Sequence, residues 1–312
     1  MSPGCKSVIV KYMKAGGAAA LFAWLGVNAQ NPAVDIIRAL RARHICLVDL
    51  RNHGYQIAFP PEKAVRVVYQ NPRAEYLYSV IAPTGRSLFG ITRTFYGRTP
   101  PTDALVRRAL GESVGPEESI ATPMANYFQF AVSPNETFML IGGRLKNAPK
   151  DQADGLFLLN MKRGGIEFVA PYPRAGLNED IRSLNVSDRG DVILYEDGGA
   201  VLIYTRPRTS LALTERHSGH FPALMPDGES YVYADRGWLI LSNSREKREL
   251  IRAPTVVGAI RISPDGGFAA FGVGSIEYSH LRICELDAIA CVDGPEYTEW
   301  IAGRETFWLK KQ

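Results

Sequence analysis

Three short patterns in this 312-residue chain hold side chains with chemistry, and each points to a different kind. Gly111-Glu-Ser-Val-Gly115 has the G-x-S-x-G spacing of a hydrolase nucleophile, with Ser113 at its centre. That serine works only on a tight strand-to-helix turn inside an α/β sheet. Here the pentapeptide follows "DALVRRAL" inside an apparent insertion and runs into Pro116, so the context for catalysis is missing. His217 and His220 stand three apart in "RHSGH", with His280 further on. Imidazoles hold zinc tetrahedrally, but no further cysteine or carboxylate stands at ligand spacing, and the expectation is loop histidines and no metal. Cys284 and Cys291 bracket "ELDAIA". A two-residue turn at Asp287-Ala288 would put them directly opposite on adjacent strands, within disulfide reach. The competing reading is a pair of small buried hydrophobes. Cys46 is then left over as a buried residue. The glycines of "GGRLKN" and "KRGG" open no helix that would bind phosphate, so no cofactor is expected. Asn135 and Asn185 fit the glycosylation pattern, which matters only in a host that glycosylates exported proteins.

What must position these residues is a chain of ordinary globular composition, 46% hydrophobic and 22% charged. Its first residues are a segment apart. Lys6, Lys11 and Lys14 precede an uncharged apolar run from Ala15 to Val27, and Val27-Asn28-Ala29 ends it with small residues at the two deciding positions. A basic stretch, a short apolar core and a small-x-small end describe a secretory signal over residues 1–29. Thirteen helical residues reach only about 20 Å, short of a bilayer core of roughly 30 Å. Cleavage after Ala29 removes three lysines and no acid, which takes the net charge from +4 to +1. That balance implies no nucleic-acid partner. The expected location is periplasmic or secreted, with no stable membrane span after cleavage and a monomeric chain.

Beyond the signal, apolar runs repeatedly break at a small turn and resume. "YSVIAPTGRSLFGIT", "FQFAVSPNETFMLIGG", "IRSLNVSDRGDVILYED", "FPALMPDGESYVYAD" and "GAIRISPDGGFAAFGV" share one layout, and Ser187, Met225 and Ser263 are 38 residues apart each time. Equal intervals of that size mark a repeat. Proline belongs where sheet pairing ends, while Asp and Gly meet the demands of a tight turn. A second pair of runs follows each first pair, as in "AVLIYTRPRTSLALT" and "WLILSNSREKRELIRA". Each unit therefore supplies four short antiparallel strands in about 40 residues, the period of a β-propeller blade.

"VSPNE", "MPDGE" and "SPDGG" between the first two strands of a unit resemble the WD40-like repeats of TolB-like β-propellers, and those of the propeller domains of prolyl oligopeptidase-type enzymes. The resemblance covers residues 44–312. It implies an all-β propeller of four-stranded blades and little about function, because such propellers serve many roles. Only residues 30–43 precede the first strand, so the extra N-terminal domain of TolB has no room, and "AVDIIRALRAR" forms at most one amphipathic helix. No hydrolase domain follows, so peptidase activity is not carried over. Five units run over 76–120, 127–174, 181–216, 220–253 and 257–294. The expected sixth blade combines two strands from "HICLVDLRNHGYQIAFPP" with two from "EWIAGRETFWLKK", with seven blades as the alternative count.

The repeat also locates candidate sites. Ala82, Ser133 and Ser187 are 51 and 54 residues apart against 38 later on, so extra length lies in residues 94–126, in "RLKNAPKDQADG" and in "YPRAGLNED". Long loops on one rim are the usual place for recognition. Arg144, Lys146, Lys150 and Arg174 are the candidate partner-binding residues there. Counting five residues back from each turn selects Phe128, Arg182, His220 and Glu296 as a ligand-binding set at the channel mouth, polar groups over an apolar wall. An Arg–Glu pair that merely staples two blades is the alternative. The expected function is a non-enzymatic binding or scaffold propeller for a protein or peptide partner. The alternative is a small-molecule binder or hydrolytic enzyme using the channel mouth.

Overall fold

The computed structural model describes residues 32–51, 54–59, 67–68, 74–94, 102–110, 115–149, 153–172, 182–206, 209–243, 245–275, 278–298 and 306–310. The signal assigned to residues 1–29 lies outside them. The chain is all-β but for one helix, α1 (Pro32–Ala42). Strands β1 (Ile45–Arg51), β2 (Gly54–Phe59) and β3 (Val67–Val68) follow it. Then come β4 (Ala74–Ile81), β5 (Ser87–Thr94), β6 (Thr102–Ala109) and β7 (Glu118–Ile120). The next four are β8 (Met124–Val132), β9 (Phe138–Leu145), β10 (Asp154–Asn160) and β11 (Ile166–Pro171). After them run β12 (Arg182–Val186), β13 (Val192–Asp197), β14 (Ala200–Thr205) and β15 (Ala212–Ser218). The next group is β16 (His220–Leu224), β17 (Tyr231–Asp235), β18 (Trp238–Ser242) and β19 (Lys247–Arg252). The last strands are β20 (Arg261–Ile262), β21 (Phe268–Gly274), β22 (Tyr278–Glu285), β23 (Ala290–Thr298) and β24 (Thr306–Lys310).

Five propeller blades are each built from four consecutive antiparallel strands: β4–β7, β8–β11, β12–β15, β16–β19 and β20–β23. A further four-stranded sheet has the order β24-β1-β2-β3, with Cys46 opposite Leu309 and Leu47 opposite Trp308. The two chain ends therefore meet in one sheet, but in a different division from the expected one. One strand comes from the C-terminal end and three from the N-terminal end. The segment "DALVRRAL", read as part of an insertion, is largely β6, the third strand of its blade.

The repeated turn explains itself in hydrogen bonds. The N–H groups of Ala82, Ser133, Ser187, Met225 and Ser263 each donate to the carbonyl five residues on, at 2.8–2.9 Å. Inside that loop the residue three on donates back to the turn's first carbonyl. That residue has positive φ every time: Gly85, Gly190, Gly228, Gly266, and Glu136 at φ 55°. A type I turn closed by one left-handed residue has this form, which is why glycine recurs there. Where the first residue is serine, its Oγ accepts a buried N–H from the start of the second strand, from Phe138, Val192 or Phe268 at 2.9–3.0 Å.

Burial grades outward through each sheet. Second strands such as Ser87–Thr94 and Phe268–Gly274 are closed along most of their length, whereas the fourth strand Ala212–Ser218 is mostly open and polar. Apolar clusters glue neighbouring sheets. Leu140 and Leu158 meet Ile193 and Tyr195, Val201 and Ile203 meet Tyr233, and Val232 meets Phe271. Cys46 and Phe307 share a cluster with Phe89 and Phe130. Ile36 and Leu40 of α1 pack with Leu47, Trp308 and Phe268, so the helix covers the junction between the terminal sheet and the β20–β23 blade. Arg43 pins the junction, 4.9 Å over the Phe268 ring and bonded to Asp265 at 2.9 Å.

Candidate functional site: the central cavity

The innermost strands β4, β8, β12, β16, β20 and β24 all border one cavity of about 380 Å3. Its wall presents polar and apolar surface in about equal measure, with Ile81, Phe130, Leu184 and Ile260 among the apolar side chains. The cavity reaches the turn end of the propeller, where Pro83, Pro134, Pro226 and Pro264 frame it. On the strands, the polar lining groups sit two and four residues before the turns. Asn185 crosses to the next blade, donating from Nδ2 to Pro222 O at 2.8 Å and accepting the Leu224 N–H at 3.2 Å. Gln129 donates to the Tyr172 hydroxyl at 3.1 Å.

Arg261 and Ser183 differ from these. Arg261 places its guanidinium carbon 4.6 Å over the Phe307 ring, and its backbone carbonyl accepts the Trp308 indole N–H at 2.9 Å. Its Nε is closed off from solvent without an acceptor. Burial pulls the guanidinium's pKa down from its ordinary value, opposed by the nearby Tyr78. The Ser183 hydroxyl is likewise buried without a partner, on a backbone at φ 56°. Arg86 is the other charged group on the wall, and no carboxylate is among the described lining residues.

Of the residues selected by counting five back, Phe128 and His220 do not line this cavity, and the side chains of Arg182 and Glu296 are outside those described. The first strands carry a β-bulge there, with register shifts between Tyr76 and Tyr78, Tyr127 and Gln129, Arg182 and Asn185, and His220 and Ala223. An extra residue breaks the alternation of faces, so the count lands on the bulge or just before it. Phe128 is part-exposed and stands edge-on to Tyr172, with ring centroids 5.0 Å apart. His220 is half-exposed, and its Nδ1 donates at 2.9 Å to the buried Glu196. Arg182 pairs across from that same Glu196 in the backbone ladder. Glu296 lies elsewhere, on β23 at the outer edge of its blade, opposite His280. The innermost strand near the C-terminal end is β24, which follows β23, and the turn on which the count relied falls in residues 299–305, outside the described residues.

The histidines have separate partners. His217 Nε2 lies 3.1 Å from Glu215 and 3.0 Å from the Tyr231 hydroxyl, while His280 faces Asp293 at 3.3 Å. His217 is on strand β15, not in a loop. Among the described residues no three ligating side chains gather around a metal position. Ser113 lies outside the described residues. On the opposite rim, Arg144 forms a bidentate pair with Asp154 at 2.6 and 2.8 Å, which raises its pKa above the ordinary value. Lys146 is exposed, and Lys150 and Arg174 lie outside the described residues. Cys284 and Cys291 are opposite each other with Cα atoms 4.1 Å apart and are joined as a disulfide. The turn between them has four residues, Leu286 to Ile289, rather than two, and the same pairing results.

No family model matches the sequence, and no curated protein matches it. Solved structures do. TolB from Acinetobacter baumannii superposes with a TM-score of 0.56 at 17% identity, over 89% of this chain and 70% of that one. A chain of a nidogen–laminin complex superposes with a TM-score of 0.54 at 8% identity, over 86% of this chain and all of that one. At these identities the likeness is one of fold, a TolB-type β-propeller. Among the described residues no helix is long and apolar enough to cross a membrane.

Proposed function

We propose that this protein is an exported, non-enzymatic binding propeller that recognises a protein or peptide partner. The observation that carries the reading is the cavity of about 380 Å3 bordered by every innermost strand, with apolar side chains interspersed with fixed polar groups. Sites of that size and lining take small ligands or the projecting end of a larger one. The likeness in fold to a chain of a nidogen–laminin complex, a protein–protein assembly, supports a role in protein recognition. On this reading residues 1–29 direct export and are removed, and the remaining chain acts as a monomer. The terminal sheet counts as a sixth blade that closes the ring, a view supported by the pairing of β24 with β1.

Filling the cavity tests the site. Ala131 lines it and is half-buried, so Ala131→Phe projects a ring into the space. Capture of a partner from envelope extract by the immobilised chain should fail for this variant, provided its melting temperature is kept. Capture that survives Ala131→Phe but fails on deletion of residues 146–153 would move the site to the opposite rim, with Lys146, Lys150 and Arg174 as its contacts. Absence of any captured partner would sink the binding role. Amino-terminal sequencing of the exported protein should begin at Gln30.

A further inference from the structure

We propose that the central cavity is a carboxylate-binding site, anchored by the Arg261 guanidinium with the Ser183 hydroxyl as a second donor. The inference rests on the reading of the cavity as the binding site and deepens it. Two independent observations lead there. Among the described residues no carboxylate faces the Arg261 guanidinium; its neighbours are the face of Phe307 and Tyr78, and its Nε is closed off from solvent without an acceptor. A buried cationic N–H without an acceptor is a destabilising arrangement, because its lost hydration is not replaced. Several other described arginines are matched by carboxylates: Arg93 with Asp103, Arg107 with Glu136, Arg206 with Glu167 and Arg282 with Asp293. Arg261 has no such match among the described residues, and it borders the cavity.

Ser183 is the second observation, on a wall formed by a different blade. Its hydroxyl has no partner although it is sealed from solvent, and its backbone holds a left-handed conformation that serine rarely adopts. Both orphaned groups are hydrogen-bond donors, and both belong to the lining of one cavity whose other charged group is also an arginine. The complement of two cations and a hydroxyl on one cavity wall is a planar oxyanion. A carboxylate matches the guanidinium fork with two parallel hydrogen bonds, and the surrounding low dielectric strengthens them. The carboxylate has two sources: a small organic acid, or the free C-terminus or an acidic side chain of a peptide.

The test is thermal unfolding and calorimetric titration of the whole chain with succinate, with a short peptide bearing a free C-terminus, and with the same peptide amidated. Sodium chloride at matched ionic strength is the control. At least one carboxylate should raise the melting temperature where chloride does not. Arg261→Gln should weaken that binding at least tenfold while leaving the unliganded melting temperature unchanged or higher, since it removes an unmatched buried charge. Arg261→Lys should rescue only in part, because an ammonium lacks the fork. Ser183→Ala should weaken binding several-fold. Binding of succinate alone identifies a small acid; binding of the free peptide but not its amide identifies a chain terminus. If no carboxylate binds and Arg261→Gln lowers the melting temperature, Arg261 is a strut on Phe307 and the proposal fails. That failure is separable from failure of the partner reading, because capture can be lost on Ala131→Phe while succinate and peptide bind neither protein.

Discussion

Glu196 ties two blades together through His220 and Phe221. One carboxylate oxygen accepts a hydrogen bond from His220 Nδ1 at 2.9 Å, and the other accepts the buried Phe221 N–H at 2.7 Å. Phe221 sits at φ 53° just where the first strand bulges, so the carboxylate satisfies an amide that the ladder has abandoned. Glu196→Ala would leave that N–H without an acceptor. We expect a loss of about 1–3 kcal/mol, read from the urea unfolding midpoint. A midpoint equal to that of the parent protein would mean water takes over the role.

The serine at the head of the repeated turn makes a similar prediction. Ser263 is buried, and its Oγ accepts the Phe268 N–H at 2.9 Å. Ser263→Ala should destabilise by about 1–3 kcal/mol. Met225 heads the equivalent turn without a hydroxyl, and there Asp227 receives the N–H groups of Glu229 and Ser230 instead. Met225→Ala should therefore leave those turn bonds intact, which proton exchange at the two amides can check.

The Cys284–Cys291 bridge closes a loop of sequence separation 7 on the outer half of its blade. A loop of that length constrains the unfolded chain by about 2–3 kcal/mol on the chain-entropy model. The double Cys→Ser variant should melt correspondingly lower and lose its sensitivity to reductant. Cys46 is fully buried and should resist alkylation until the protein unfolds.

Acid should weaken the turn rim. Burial alone would raise the Asp265 pKa, but hydrogen bonds from Ser263, Arg43 and Gly267 outweigh it and hold the carboxyl below its ordinary value. Asp227 is also depressed: burial again acts upward and is outweighed by bonds from the N–H groups of Ser230 and Glu229. A depressed folded-state pKa gives stability that is complete above the unfolded value, about 3.9, and that disappears as pH falls through the folded one. Stability should therefore decline below about pH 4, and Asp265→Asn should flatten that decline. A profile identical to the parent's would exclude Asp265 from the effect.

Much of this fold can be read from the repeat alone. The 38-residue spacing of Ser187, Met225 and Ser263 marks the turns, because a left-handed residue three positions on demands glycine in nearly every copy. The candidate site was less legible. A bulge adds a residue without leaving any mark in composition, so the count to Phe128, Arg182 and His220 overshot by one or more positions. Glu296 stands on the outer strand β23, and nothing in the sequence between Thr298 and Thr306 marks the passage from that strand to the inner β24. Arg261 did carry a signal that went unused. Aligned on the turn, it occupies the position of Val80, Ala131, Asn185 and Ala223, the single charged residue in that column.

The pairing of Leu47 with Trp308 has a consequence for biosynthesis. Strands β1 to β3 are synthesised before the five intervening blades, and their neighbour β24 comes after them. The contact must wait for those blades to be made, and long-range closures of this kind are slow. Truncation before Thr306 would thus strip β1 of a partner strand, an injury far upstream of the missing residues.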